Sequence, residues 1–496
     1  MDLYKLQNGS DVRGVALSGV EGESVTLTEE AVRAIASGFV RWLERRREKR
    51  PLRIAVGRDS RLSGPDIAGW LGETLSLAGA DVTDMGLATT PAMFMATVTP
   101  GYEFDGAVMI TASHLPWNRN GLKFFTARGG AESADIREIL TLAGESPARA
   151  AAAGKRETGE FMETYAAILR QKVIDAAGKE APLAGYKIVV DAGNGAGGFY
   201  ARRVLEPLGA DTAGSRYLEP DGRFPNHVPN PELSEAMDSI RAAVLESGAD
   251  LGLIFDTDVD RAGAVLKSGE ELNRNRLIAL ISAILLREHP GTAIVTDSIT
   301  STGLAKFIAG RGGVHRRFRR GYRNVINEAL RLNAEGQDCQ LAIETSGHAA
   351  MKENYFLDDG AYLVTKFLIE LACGRSLESL VEELEEPAES REFRLKIRDE
   401  DFRARGEAVL AALAEYAAGR PGWTEAPDNH EGVRYSLDKE HGDGWFLLRL
   451  SLHDPLLPLN IESDSPGGVM TIAKQLLPFL ETQGGIDPAP LRSFVK

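Results

Sequence analysis

The chain has 496 residues, of which 43% are hydrophobic and 26% charged, with a formal net charge of −15. That length exceeds one core and gives about three or four domains at roughly 150 residues each. The balance is that of a globular protein, and the negative charge disfavours general binding to nucleic acid or to an anionic membrane.

Two cysteines, Cys339 and Cys373, supply neither a disulfide framework nor zinc-ligand spacing, as expected in a reducing cytoplasm. The first residues lack the basic-then-apolar order of a secretory signal. The longest apolar stretch, 277–286, is too short to span a bilayer and reads as a buried helix. No membrane, nucleic-acid or obligate protein partner is expected.

In chain order, Arg53-Ile54-Ala55-Val56 leads into Gly57-Arg58-Asp59-Ser60-Arg61, then a helical pattern, then a glycine turn and short strand at Gly79-Ala80-Asp81-Val82. A further apolar run, 106–110, ends in Thr111-Ala112-Ser113-His114-Leu115-Pro116. After an Ala-rich boundary at 147–155 the order recurs. Residues 187–190 lead into Asp191-Ala192-Gly193-Asn194-Gly195, a helical pattern and a strand at 209–212. The run 251–255 then ends in Asp256-Thr257-Asp258-Val259-Asp260-Arg261. In the third copy 292–295 leads into a polar turn, a helix and Gly312-Gly313-Val314; the closing run, 340–343, ends in Glu344-Thr345-Ser346-Gly347-His348. Short apolar runs alternating with helices predict βαβ units. An acidic stretch, 382–386, closes the third copy, and the strand-like runs 433–437 and 445–450 predict a terminal α+β piece. The expected fold class is α/β: three similar mixed α/β domains from an internal repeat, at 1–157, 158–268 and 269–388, plus a C-terminal α+β domain at 389–496.

The carboxylates of Asp256, Asp258 and Asp260 repel one another unless a cation lies among them. Alternate residues of an extended segment face one way, so all three can converge on one hard cation, and oxygen ligands suit Mg²⁺ or Ca²⁺. A plain acidic loop after a strand is the alternative. Open α/β sheets bind ligands beyond the carboxyl ends of their strands, where a metal site and a presented serine together suggest phosphoryl chemistry.

With these segments in order along essentially the whole chain, the sequence resembles the α-D-phosphohexomutase family of phosphoglucomutases, phosphomannomutases and phosphoglucosamine mutases. Residues 111–116 match its phosphoserine loop T-A-S-H-N-P except that the asparagine is Leu115, and Asn120-Gly121-Leu122-Lys123 is similar to its N-G-x-K. Residues 256–261 match its metal loop D-G-D-G-D-R, and 344–348 its sugar loop. Residues 57–61 and Pro220-Asp221-Gly222-Arg223-Phe224-Pro225 are also similar to family segments. The resemblance implies four domains around a central cleft and an Mg²⁺-dependent mutase that interconverts hexose 1-phosphate and hexose 6-phosphate, of glucose or mannose. The phosphoryl group would be carried on Ser113, with a hexose 1,6-bisphosphate as intermediate and activator. It implies Asp256, Asp258, Asp260 and Ser113 as metal ligands and Arg13, Lys123 and Arg261 as phosphoryl neutralisers. His114 would position the serine, His348 or Lys123 would move the proton, and Glu344 and Ser346 would bind the sugar hydroxyls. Arg320, Gly321 and Tyr322 align with a substrate loop, and Arg449, Ser451 and His453 with the loop that anchors the non-reacting phosphate.

Departures from the family pattern are also present. The anchor loop R-x-S-G-T-E-P has become Arg449-Leu450-Ser451-Leu452-His453-Asp454-Pro455, and the two metal-loop glycines are Thr257 and Val259. The altered anchor admits a rival reading, a hexose 1,6-bisphosphate synthase recharged by another phosphate donor. A non-catalytic sugar-phosphate sensor is the alternative of another class. His227, His315, His430 and His441 read as structural or surface histidines, and the cluster from His315 to Arg320 as either a solvated edge or a phosphate-attracting rim.

Overall fold

The computed structural model describes residues 2–47, 51–427, 429–451 and 454–496. The chain forms two compact units, Met1–Ile284 with Ser346–Leu380 and Leu285–Thr345 with Val381–Lys496.

In the first unit one sheet runs Asp11–Val15, Arg119–Thr126, Gly106–Ile110, Arg53–Arg58 and Asp81–Leu87 in spatial order. Its last three strands are mutually parallel, and Arg119–Thr126 is antiparallel to both of its neighbours. The helix Glu29–Glu44 begins at Thr28, whose side chain accepts from the Ala31 amide, filling one of the orphan donors of a helix start. Its buried residues Ala31, Val32, Ile35, Ala36, Phe39, Val40 and Leu43 recur at helical spacing. Phe39 lies 4.7 Å from the Phe124 ring of the sheet, and burying such a side chain stabilises by about 2 kcal/mol. A second sheet joins Ile188–Asp191 in parallel to Leu251–Phe255, which pairs antiparallel with Ala262–Leu266.

The second unit holds three parallel strands, Val314–Arg317, Ala293–Thr296 and Cys339–Ile343. It also holds an antiparallel sheet ordered Trp423–Glu425, Val433–Leu437, Gly444–Leu448, Leu456–Ser463, Glu389–Ile397 and Ile486–Asp487. The helices Phe402–Ala417 and Gly468–Thr482 pack on that sheet to form its core.

The predicted repeat is therefore present as structure. In every copy the first strand pairs in parallel with the third, so the polar loops after both leave the same end of a sheet. Two details differ from the pattern. The helix expected after Gly195 is a short π-helix, Tyr200–Leu205, and the strand expected at 209–212 is one bridge between Lys187 and Asp211. Residues 277–286 lie within the helix Arg274–Glu288 and are buried. Among the described residues no helix is long and apolar enough to cross a membrane.

Candidate active site

Ser113 follows the strand Gly106–Ile110 with a left-handed backbone, φ 51°, an uncommon state for a residue with a side chain. It is 3% exposed. Its Oγ lies 3.0 Å from Asp256 Oδ2, to which it donates, and accepts from Arg261 Nη2 at 2.8 Å. The close packing of Gly121 allows this turn to nest, since a Cβ there would meet the Val12 carbonyl oxygen at 2.4 Å and that of Thr111 at 2.8 Å.

Asp256, Asp258 and Asp260 are all buried, with candidate ligand oxygens within 4.8 Å of one another. They converge through a turn and not through an extended strand: the Val259 amide donates to the Asp256 carbonyl and Val259 has φ 66°. The alternation expected from sequence is thus replaced by a tight bend, in which a β-branched residue occupies the left-handed region at a cost of about 1–3 kcal/mol. Lys123 Nζ lies 3.2 Å from Asp258 Oδ2 and 2.5 Å from Asp260 Oδ2. Burial and the two neighbouring carboxylates raise the pKa of Asp256 well above the carboxylate range. Burial acts in the same sense on Asp260, but Lys123, His348 and Arg261 outweigh it and hold that carboxyl far below its ordinary value.

A hard divalent cation fits this donor set. Asp258 Oδ1 and Asp260 Oδ1 are buried without a hydrogen-bond partner, a condition that proteins rarely tolerate unless another group satisfies it. All the ligand atoms are oxygens, which suits Mg²⁺.

Arg261, 1% exposed, ties the loops together. Besides Ser113 it bonds Asp256, Asn230 Oδ1 at 3.3 Å and Glu232 Oε2 at 3.4 Å, and it contacts His114 Nδ1. The Arg261 charge, with burial and Arg13, depresses the pKa of His114 to about 2. His348, its Nδ1 2.9 Å from Ser346 Oγ and its Nε2 3.6 Å from Asp260 Oδ1, is pushed to about 3 by burial and by Arg261, Lys123 and Arg13. Both imidazoles are neutral at neutral pH. Arg13 bonds Asp11 at 2.9 Å and the Ala112 carbonyl at 3.4 Å. The first unit thus gathers Arg13, Ser113, His114, Lys123, the three aspartates, Arg261, Ser346 and His348.

The remaining predicted residues belong to the second unit. Glu344 Oε1 accepts the Gly321 amide at 2.6 Å, at the start of the helix Tyr322–Ala334. The Arg320 amide donates to Glu431 Oε2 at 3.2 Å, and its side chain lies 4.0 Å from Asp297. Arg449 is 7% exposed, and its Nε is buried with no hydrogen-bond partner. Burial pulls its pKa below the ordinary value. Ser451 Oγ accepts the Asp454 amide at 3.3 Å; His453 lies outside the described residues. The basic cluster serves largely structural roles: Arg316 pairs with Glu328, Arg317 bonds Thr300 and the Ser301 carbonyl, and Arg319 bonds the His430 carbonyl.

Four contributors carried no predicted role. Arg61, 1% exposed, donates to the carbonyls of Ser113, Leu115, Pro116 and Arg119 at 2.5, 2.6, 2.7 and 2.9 Å, clamping the serine loop from beneath. Thr90 grips Asp258 twice, by its hydroxyl at 2.5 Å and its amide at 2.9 Å. Asn230 and Glu232 steady Arg261. Only Arg61 stood in a segment noticed from sequence, 57–61.

The chain is similar to proteins of one family. Family models described as phosphoglucomutase/phosphomannomutase α/β/α domains I, II and III match residues 5–147, 160–269 and 273–388. A Pseudomonas putida protein called phosphomannomutase/phosphoglucomutase is 33% identical over 424 residues, 84% of this chain and 85% of that one. A Neisseria gonorrhoeae phosphoglucomutase is 30% identical over 487 residues, 97% of each. A crystal structure of a phosphoglucomutase/phosphomannomutase family protein from Burkholderia thailandensis superposes with a TM-score of 0.77 at 27% identity, covering 96% of both chains. With three domain models matched in order along the chain, this chain belongs to the phosphoglucomutase/phosphomannomutase family, as an isomerase of phosphohexomutase type.

Proposed function

We propose that the enzyme interconverts hexose 1-phosphate and hexose 6-phosphate, of glucose or mannose, using Mg²⁺ and a phosphoryl group carried on Ser113. The observation that carries this reading is the environment of Ser113 Oγ. It is held by Asp256 and Arg261 beside a histidine whose pKa is depressed to about 2. A serine so placed is surrounded by the charges that phosphoryl transfer requires.

Asp256, Asp258, Asp260 and Ser113 would hold Mg²⁺, which supplies Lewis-acid neutralisation of phosphoryl oxygens. Arg261, Lys123 and Arg13 would balance the remaining charge. A sugar hydroxyl attacks the phosphorus on phospho-Ser113 and gives its proton to the neutral imidazole of His348, while the Oγ–P bond breaks and the Ser113 oxygen, beside the Arg261 guanidinium, takes up a proton from water. The resulting bisphosphorylated sugar reorients and returns its other phosphoryl group to Ser113. Glu344 and Ser346 are the proposed contacts to the sugar hydroxyls. Arg320, Gly321 and Tyr322 are proposed substrate contacts. Arg449, with its unpartnered buried Nε, and Ser451 suit the phosphate that does not react.

Phosphorus NMR of glucose 1-phosphate with Mg²⁺ and a trace of glucose 1,6-bisphosphate tests the reading. Glucose 6-phosphate should dominate, and Ser113→Ala should lose all turnover while remaining folded. Bisphosphate accumulating in step with an added donor would replace the mutase by a synthase. Full turnover in Ser113→Ala would overturn the phosphoserine mechanism.

A further inference from the structure

His227 is 6% exposed and lies outside the set of groups that face the reacting atoms. Its Nε2 is 3.0 Å from Asp191 Oδ1 and its Nδ1 is 2.9 Å from the Val228 carbonyl. Both partners only accept, and a neutral imidazole has a single N–H. Only the imidazolium bonds both. Asp191 is itself fixed: Oδ2 accepts Ser239 Oγ at 2.6 Å and Oδ1 accepts the Gly193 amide at 2.9 Å. His315 makes the contrast, because it faces the Thr296 hydroxyl at 2.8 Å, which can donate or accept.

Asp191 comes from the strand Ile188–Asp191, and the helix Ser234–Ser247 contributes Ser239 and the charge of Glu235. The Tyr217 ring stands edge-on at 5.5 Å. Arg216 is turned to Glu246 and the Ser239 carbonyl. Burial opposes the ring's charge, but Asp191 and the Val228 carbonyl more than offset it, so its pKa is raised.

The turn that His227 anchors reaches the active site. Gly193, at φ +52°, leaves no room for a Cβ, which would meet Pro229 Cβ at 2.6 Å. Asn226 donates to Asn194 Oδ1 at 2.7 Å. Three and five residues beyond His227, Asn230 and Glu232 meet the Arg261 guanidinium that donates to Ser113 Oγ.

We propose that His227 is a positioning residue: as an imidazolium between Asp191 and the Val228 carbonyl, it fixes the 225–232 turn and thereby the orientation of Arg261 toward Ser113. Loss of its proton removes one of the two bonds and loosens Arg261. The proposal rests on the mutase reading for its catalytic consequence, and its test separates the two.

The intact enzyme, labelled with ¹³C and ¹⁵N in its eight histidines, is titrated by NMR, and kcat and KM are measured across the same pH range. His227 is assigned by the signal missing from His227→Gln. Its midpoint should lie above that of an ordinary histidine and coincide with an alkaline fall in kcat. His227→Gln should lower kcat about tenfold, leave KM within twofold and abolish that fall. A ring that titrates at or below the ordinary value overturns the proposal, as does a variant with the wild-type kcat and pH profile. Should the variant not fold, a wild-type spectrum with no doubly protonated ring at neutral pH still overturns it. Should the wild type show no mutase turnover, the functional reading fails. The Arg261 Nε–H exchange rate, rising or not with His227 deprotonation, then decides the positioning by itself.

Discussion

Replacing Arg61 by methionine should disorganise the serine loop without touching the substrate. The side chain is buried against Asp59, its Nε 3.4 Å from Asp59 Oδ2, and it makes four bonds to the carbonyls of the loop and of the strand start. Breaking a buried pair costs about 3–5 kcal/mol, and charged hydrogen bonds contribute roughly 1.5–3 kcal/mol each. Part of that gain is already offset by burying the guanidinium and Asp59. Burial lifts the Asp59 carboxyl to about 6, with Arg61 the strongest restraint on it. A net local loss of about 4 kcal/mol is the reasonable sum, which corresponds to amide exchange across 111–121 faster by about three orders of magnitude. A misplacement of about 1 Å at Ser113 costs about a hundredfold in kcat. Hydrogen exchange read by mass spectrometry, with kcat in parallel, tests both numbers. Adding Asp59→Asn should recover some protection but not the rate. If Arg61→Met leaves exchange within tenfold and kcat within threefold, the clamp is not what holds the loop.

Thr90→Val removes a hydroxyl bond to Asp258, and such supporting contacts carry about 10–100-fold in metal affinity; calorimetric titration with Mg²⁺ should show that loss with the fold intact. Chelation should lower the melting temperature of the wild type, whereas Asp258→Asn should show no Mg²⁺-dependent stabilisation. Arg449→Met should raise KM for the sugar phosphate at least tenfold with a smaller effect on kcat, and an unchanged KM would remove Arg449 from the phosphate site. Glu462, bonded by Trp445 Nε1 at 2.9 Å, is lifted by burial from 4.5 to about 7, against the pull of Arg434 and Trp445. The folded state then holds that proton more tightly than the unfolded chain, so its contribution is full below about pH 4.5 and lost as pH rises to about 7. The difference is about 3 kcal/mol. Glu462→Gln should flatten that part of the stability profile in urea unfolding, and an identical slope in both proteins would refute the assignment.

The sequence by itself determined whatever is local. Apolar runs of strand length, each followed by a polar loop, mark where chain segments leave a sheet. The spacing of Asp256, Asp258 and Asp260 concentrates charge that needs a cation, and Ser113 stands in a loop of the same kind. These features follow from the periodicity of strands and helices and from Coulomb repulsion between near neighbours. Tertiary structure alone decided what those loops meet. The parallel pairing of first and third strands brings loop ends together. Arg61 thereby reaches four carbonyls on another loop, and Thr90 meets Asp258 from a segment 168 residues away in sequence. A carbonyl accepts a hydrogen bond whatever its side chain, so no residue pattern announces that clamp. Val259 at φ 66° was illegible for a related reason: no glycine marks the bend, and the surrounding contacts impose it. His227 reads as an unremarkable histidine until folding sets acceptors against both of its nitrogens. Its charge state belongs to the assembled protein, because it is fixed by an aspartate 36 residues away in sequence.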